Sequence, residues 1–584
     1  MTVGGRFVRW LAEPAAAWRS ALIAVLLSLP ALGNGIIEDD HFLRATSLGL
    51  NPPALALATK WDLFRFFSGD PALYARWLDL GLAPWWASPD LRVGFWRPIS
   101  SALHQVDFAL WPNHPVLMHA HSLAWLAALV LVAGALFRRW HTAPWAAGLA
   151  TLVFAIDDGH GIPIGWLANR NALVAAVFGG LAVLAHDRWR RDGWRPGGVL
   201  SWVALTAGLL SGEIALGAWA GVLAHALAFE KGLRARLLAL APSLAVVIAW
   251  RVAYSLLGYG AHGSGLYLDP VHSPLAFASQ VSQRLPLLLF AQLGGLPSDP
   301  WALVPRQAAL GLVVVAAAGC AALGFGLGRL FQRDRLARFY GLWLVLAVLP
   351  GCATFPNDRL LLIASIPSAG LVAHAIGLWR EGKGVSRALA LYWVVVHLVM
   401  APLLLPVRAR SIHALGEMAE RALRGVPREL GGKTLIVLSA PDGLMCVRIL
   451  AHGASLGHSM PDRLRCIGVT TGAVRISRPD ERTLELRSEA GFFSGTLDAL
   501  FRSPERAWHL GEGASTAVVS TQVIALTQSG LPAALRARFD APLDDPGSVL
   551  VIWRGRGYQR FVPPPVGQSV EHPPTSMAEV LFGL

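Results

Sequence analysis

The chain is 584 residues long, 54% apolar and only 15% charged, with a mean hydropathy of +0.48. Soluble globular chains carry about 25% charge, so an ordinary soluble enzyme is excluded; 59 Gly and 38 Pro in largely apolar sequence, and 23 Trp against 7 Tyr, indicate a polytopic membrane protein with indoles at the bilayer surface. The net charge of +13 does not indicate nucleic-acid binding, because only four of the 50 basic residues are lysines and the basic residues fall in short tracts between apolar runs.

Arg6, Arg9 and Arg19 precede an apolar run from Ala21 to Leu32, read here as an uncleaved first span, with a signal peptide as the alternative. Residues 34–113 form a large outer loop. Its aromatic residues, among them Trp61, Phe64, Trp77 and Trp86, predict amphipathic helices on the membrane surface or packing against the bundle. Basic clusters then recur at Arg138/Arg139, Arg188–Arg195, Lys231–Arg236, Arg329–Arg338 and Arg380/Lys383/Arg387. Placing each on the cytoplasmic side satisfies the positive-inside rule. The chain must then cross twice between Arg139 and Arg188, with its outer tip at Asp157-Asp158-Gly159-His160, and twice between Arg195 and Lys231, with its tip at Ser211-Gly212-Glu213.

One span follows Arg236 and ends near Leu257. The short apolar stretch Leu285–Leu296 reads as a re-entrant or interfacial segment. Spans near 306–328, 339–354, 358–378 and 388–406 bring the total to about eleven crossings, with the N-terminus inside and the C-terminus outside. The expected fold is an all-α membrane bundle over residues 1–406, followed by a soluble α/β or mostly β extracytoplasmic domain over 407–584. Strand-like runs in that tail are Thr434–Leu438, Cys446–Leu450, Thr483–Leu486 and Ser548–Trp553. The four cysteines make no zinc pattern; Cys446 and Cys466 can pair outside the cytoplasm or stay as thiols.

The first span runs into Glu38-Asp39-Asp40-His41. Three successive carboxylates at a membrane exit can take a proton from a hydroxyl or hold a divalent cation; a solvated turn is the alternative. Asp157, Asp158 and His160 repeat the theme at a second tip. A metal held by Asp39, Asp40, Asp157 or His160 is left open, as is any other cofactor.

On these residues the chain resembles the GT-C glycosyltransferases, which use polyprenyl-phosphate-linked sugars, and within them the branch containing the TPR-bearing O-mannosyltransferases and bacterial relatives. Phe95-Trp96-Arg97-Pro98 leading to Asp107-Phe108-Ala109-Leu110-Trp111 is similar to the branch's F/Y-R-P-L … D-x-x-L-W stretch. His119 stands where that stretch continues H-L-x-N, with Ser122 in place of the Asn. His160, Trp166 and Arg170 match the F-A-L-H-P-x-H-x-E-A-V-x-W-I-x-x-R stretch, in which Asp157 replaces the first His and Ile162 the Glu. Leu209–Glu213 is similar to L-L-S-K-E without its Lys, and Asp358-Arg359 through Pro367-Ser368 resembles x-R-Y-L-Y-x-P-S. The resemblance covers residues 20 to about 380; the tail lacks TPR repeats.

The resemblance implies an inverting sugar transfer at the outer face of the membrane, from a polyprenyl-phosphate donor to a hydroxyl on a glycan, lipid or protein; the Arg-rich, Lys-poor composition and compact loops suggest a bacterial inner membrane. It implies a base, Asp40 or Asp39 with Asp40 preferred, assisted by Glu38, and phosphate-binding cations in the order Arg359, Arg170, Arg97. His119 and Glu213 are further site candidates. A transporter or lipid flippase, and a non-catalytic cell-envelope assembly subunit, are the competing readings.

Overall fold

The computed structural model describes residues 3–50, 58–304, 306–382 and 385–582; Lys383 and part of the first large loop, residues 51–57, lie outside them. Among the described residues seven helices are long and apolar enough to cross a membrane, and three shorter apolar helices accompany them. The chain is a multi-pass membrane protein. It divides into two compact units: residues 1–35, 95–258 and 273–413 form the first, and residues 36–94, 259–272 and 414–584 the second.

The first unit is helical. Proline at the first helical position opens Pro98–Leu110, Pro115–Trp140, Pro144–Ala155 and Pro196–Leu209, where its missing N–H costs no intrahelical bond. The tips anticipated from the basic tracts are present: Asp158–His160 is a short 3-10 turn after Pro144–Ala155, and Glu213–Ala215 another before Leu216–Phe229. Three elements depart from the sequence-based expectation. Leu285–Gly294 of the stretch Leu285–Leu296 is the latter part of a continuous 21-residue helix, Pro274–Gly294; its polar first half, with Gln280, Ser282, Gln283 and Arg284, hid the continuation. The stretch 358–378 is two elements, the 3-10 turn Asp358–Leu361 and the helix Ser365–Arg380. The last span does not stop at Pro406: Arg387–Val394 passes through a π-helical turn, Val395–Met400, into Ala401–Arg424, with Pro406 inside that helix.

The second unit is α/β. Four strands order as Gly557–Arg560, Ser548–Arg554, Thr434–Ala440, Arg463–Val469, with the last three parallel. A six-stranded antiparallel sheet runs from Ser569–His572 to Gly513–Ser515, and a three-stranded sheet joins Arg65–Ser68, Arg92–Gly94 and Gly260–His262. Cys446–Leu450, read as strand-like, lies instead in the helix Gly443–Ser455. Asp442 caps it, accepting from the Met445 amide at 2.9 Å, and Met445, Cys446, Ile449 and Leu450 are buried at helical spacing. Cys446 and Cys466 form a disulfide with a Cα separation of 6.2 Å. Phe64, Trp77 and Trp86 are buried within this unit, Trp86 against Phe493 and Phe501, which is neither of the two expected placements; Trp61 is exposed.

Candidate functional site

In the first unit the motif stretches are tied together by their own side chains. Arg170 opens the helix Arg170–Asp192 and is 1% exposed. It forms a buried ion pair with Asp107 and donates to Ser122 Oγ at 2.8 Å and to the Met118 carbonyl at 2.7 Å. His121 Nδ1 lies 2.8 Å from the other Asp107 oxygen. Arg170 therefore pairs with the Asp of another motif and not with the Asp157/Asp158 turn. Arg97 pairs with Glu213 at 2.6 Å and lies over the Phe95 ring, while Tyr254 donates to the second Glu213 oxygen at 3.3 Å. His119 Nε2 is 2.9 Å from the Gly35 carbonyl, and His160 Nε2 is 2.9 Å from Ser365 Oγ. Burial pushes the His160 imidazole down to about 3, so it is neutral at physiological pH.

Around the second acidic tip stands a centre that sequence reasoning missed. Arg408 pairs with Asp158 at 2.9 Å, with Asp358 at 2.6 Å and with Asp299. The approach depends on small residues: a Cβ on Gly161 would come within 2.6 Å of Arg408 Cβ, and one on Gly165 within 2.3 Å of the Ala409 carbonyl. Asp358 also accepts from the Ser298 amide at 2.9 Å and its hydroxyl at 2.6 Å. Asp157 accepts from the Gly159 amide at 2.9 Å and from Gln292 at 2.8 Å. Burial and then neighbouring carboxylates raise Asp157, Asp158 and Asp299 above the usual range, Asp299 to about 6, against the pull of Arg408 on Asp158 and Asp299. Their partners are distant in sequence, which is why periodicity and motif spacing gave no sign of them.

Arg359 is half-buried in the turn Asp358–Leu361, with its guanidinium over Trp166 at 5.1 Å and Phe355 at 5.5 Å. Its charge acts on Asp299, whose ion pair is with Arg408.

The first acidic motif belongs to the second unit. Asp39 and Asp40 open the helix Asp39–Leu48. Asp40 is 1% exposed and accepts from the Ile37 amide at 3.0 Å, securing the helix start, whereas Asp39 is exposed. Glu38 has a positive φ of 53° and is buried against Arg448 at 2.5 Å. His41 Nδ1 lies 3.0 Å from Ser455 Oγ, and its ring lies 4.0 Å from that of His452. Arg448, His452 and Ser455 are all on the helix Gly443–Ser455, so the motif docks on the C-terminal segment. Among the described residues no group of three or more His, Cys, Asp or Glu is placed to hold a metal ion.

Burial, with Asp39 and Asp442 adding repulsion, outweighs the attraction of Arg448 and raises Glu38 from 4.5 to about 7. The folded unit thus binds this proton more tightly than the unfolded chain. Its contribution is fully present below pH 4.5 and lost as the pH rises through 7, about 3 kcal/mol in all. Melting temperature should therefore fall from pH 5 to pH 8 more steeply in the natural protein than in Glu38→Gln; identical slopes would remove Glu38 as the source.

Compared with protein-family models and with curated protein sequences, the chain matches none. Among solved structures it resembles the oligosaccharyltransferase of Archaeoglobus fulgidus tethered with an acceptor peptide, at 12% identity and TM-score 0.37, over 78% of this chain and 64% of that one. It also resembles the Archaeoglobus oligosaccharyltransferase AglB in complex with an inhibitory peptide and a dolichol-phosphate, at 12% identity and TM-score 0.39, over 77% of this chain and 65% of that one. A third is ArnT from Cupriavidus metallidurans bound to undecaprenyl phosphate, at 11% identity and TM-score 0.35, over 78% of this chain and 90% of that one. The match thus spans less than two thirds of the archaeal chains.

Proposed function

We propose that the protein is an inverting membrane glycosyltransferase of the GT-C type, moving a sugar from a polyprenyl-phosphate donor to a hydroxyl on a glycan, lipid or protein. One observation carries the proposal: stretches that resemble the family at separate points of the chain are joined through their own motif residues, Asp107 to Arg170 and Arg97 to Glu213. Such pairing is expected of a framework inherited together and is unexpected of accidental matches.

In this reading the acceptor oxygen bonds to the anomeric carbon as the bond from that carbon to the phosphate oxygen breaks. The bonding pair leaves on the phosphate, and the acceptor proton goes to a carboxylate. We assign that base to Asp39 in preference to Asp40, whose carboxylate is buried and holds the start of its own helix. Glu38, paired with Arg448, supports the loop. Arg359 takes the phosphate: its charge acts on Asp299, but Asp299 is held by Arg408, whereas Arg170 and Arg97 are engaged in pairs that hold the framework.

In this reading the site lies on the non-cytoplasmic side of a bacterial inner membrane, with the N-terminus inside and the segment 407–584 outside. The Cys446–Cys466 disulfide supports an oxidising compartment for that segment. The test is transfer of radiolabel from a panel of undecaprenyl-phosphate-linked hexoses by the protein in envelope vesicles. The natural protein should release undecaprenyl phosphate with label entering envelope material, and Arg359→Ala should lower this about a hundredfold. No release from any donor of the panel would end the transferase proposal.

A further inference from the structure

Arg284, in the middle of Pro274–Gly294, is 2% exposed. A buried guanidinium ordinarily has a carboxylate beside it, because an unpaired buried charge is strongly unfavourable. Arg284 has none among the described residues; one nitrogen donates to the Cys352 carbonyl at 3.0 Å, and Nε has no partner. Two residues beyond that carbonyl, the buried Thr354 hydroxyl is also without a partner. The turn carrying Arg359 closes on the same backbone: a Cβ on Gly351 would touch Leu360 Cβ at 3.5 Å and Leu288 Cδ1 at 3.6 Å. Leu288 lies one helical turn after Arg284, and Leu360 follows Arg359. Nearby Asp358 and Asp299 are already engaged by Arg408.

Two guanidiniums and a hydroxyl thus flank one short segment, residues 351–360: Arg284 and Thr354 have no acid beside them among the described residues, and Arg359 acts on Asp299, which Arg408 already holds. We infer that Arg284, with Thr354, completes an anion site with Arg359 that takes a lipid phosphate and is matched to the leaving group. The inference rests on the transferase proposal for its chemistry. A glycosyl phosphodiester carries one negative charge. When the bond from the anomeric carbon to oxygen breaks and the pair stays on the phosphate, the departing monoester carries two. One guanidinium neutralises the donor, and the second neutralises the charge that develops, so Arg284 acts on the transition state and product more than on the bound donor.

The experiment compares the full-length protein in nanodiscs with Arg284→Gln, Arg284→Lys, Thr354→Val and, as a charge-matched control on the exposed surface, Arg482→Gln. Turnover, KM for the donor and inhibition by undecaprenyl phosphate or by inorganic phosphate are measured, together with direct binding of undecaprenyl phosphate. Arg284→Gln should lower kcat about a hundredfold with little change in KM, and weaken binding of undecaprenyl phosphate about tenfold. Arg284→Lys should recover part of both, and Arg482→Gln should change neither.

Unchanged kcat and unchanged undecaprenyl-phosphate binding in Arg284→Gln would overturn the inference while leaving the transferase proposal standing. If Arg284→Gln does not survive purification, Thr354→Val decides: weaker undecaprenyl-phosphate inhibition supports the site, and unchanged inhibition overturns it. A natural protein that transfers no sugar yet binds undecaprenyl phosphate through Arg284 would keep the anion site and discard the transferase. Inorganic phosphate binding as tightly as the lipid would overturn the lipid assignment.

Discussion

Asp39→Asn is expected to stop sugar transfer, reducing turnover by a factor of about a hundred to ten thousand, while the protein expresses and melts as before. Asn keeps the size of the side chain and removes its negative charge, and with it the capacity to take a proton. Asp39 is exposed at the start of its helix, so the fold loses little when its charge is lost. Asp40→Asn should show the opposite pattern. Its carboxylate accepts from the Ile37 amide inside a buried turn, and weakening that bond costs about 1 kcal/mol. The two variants therefore separate chemistry from structure at adjacent positions. Full turnover in Asp39→Asn, measured with the donor shown to be active for the natural protein, would refute the assignment of the base.

The second large effect is on stability. Arg408 is the only cation paired with Asp158, Asp299 and Asp358 among the described residues. Arg408→Ala leaves three mostly buried carboxylates in mutual repulsion, and breaking a buried pair costs about 3 kcal/mol or more. We expect a loss of several degrees in melting temperature, larger at pH 8 than at pH 5, because acid neutralises the stranded carboxylates. Arg408→Lys should recover only part of the loss, since a single ammonium cannot reproduce a planar fork reaching three acids. Equal melting temperatures for Arg408→Ala and the natural protein would show that the three acids are satisfied in another way.

The helical bundle was legible in the sequence to the extent that hydropathy and basic tracts carry it. The tips at Asp157–His160 and Ser211–Glu213 follow from parity alone. What hydropathy misreads is local: a short apolar run such as Cys446–Leu450 fits a strand and a buried helix equally, and the Asp442 cap was the signal that separates them. The partners of the acidic residues were illegible for another reason. Arg408 meets Asp158 across 250 positions and Arg448 meets Glu38 across 410, and no pattern within one sequence encodes such pairings.

That last separation has a consequence for biosynthesis. The acidic motif leaves the ribosome 410 residues before Arg448, which it needs as its ion-pair partner. At about 5–20 residues per second, the motif waits on the order of half a minute or longer, with Glu38 and His41 lacking their partners Arg448, Ser455 and His452. Residues 36–94 and 259–272, already delivered, likewise await residues 414–584 before their unit can close. A nascent chain halted anywhere before the tail would hold a membrane bundle but no ordered acidic loop. On the reading proposed above, a copy halted before Arg448 would lack the support of the loop that carries the proposed base, and it would be inert.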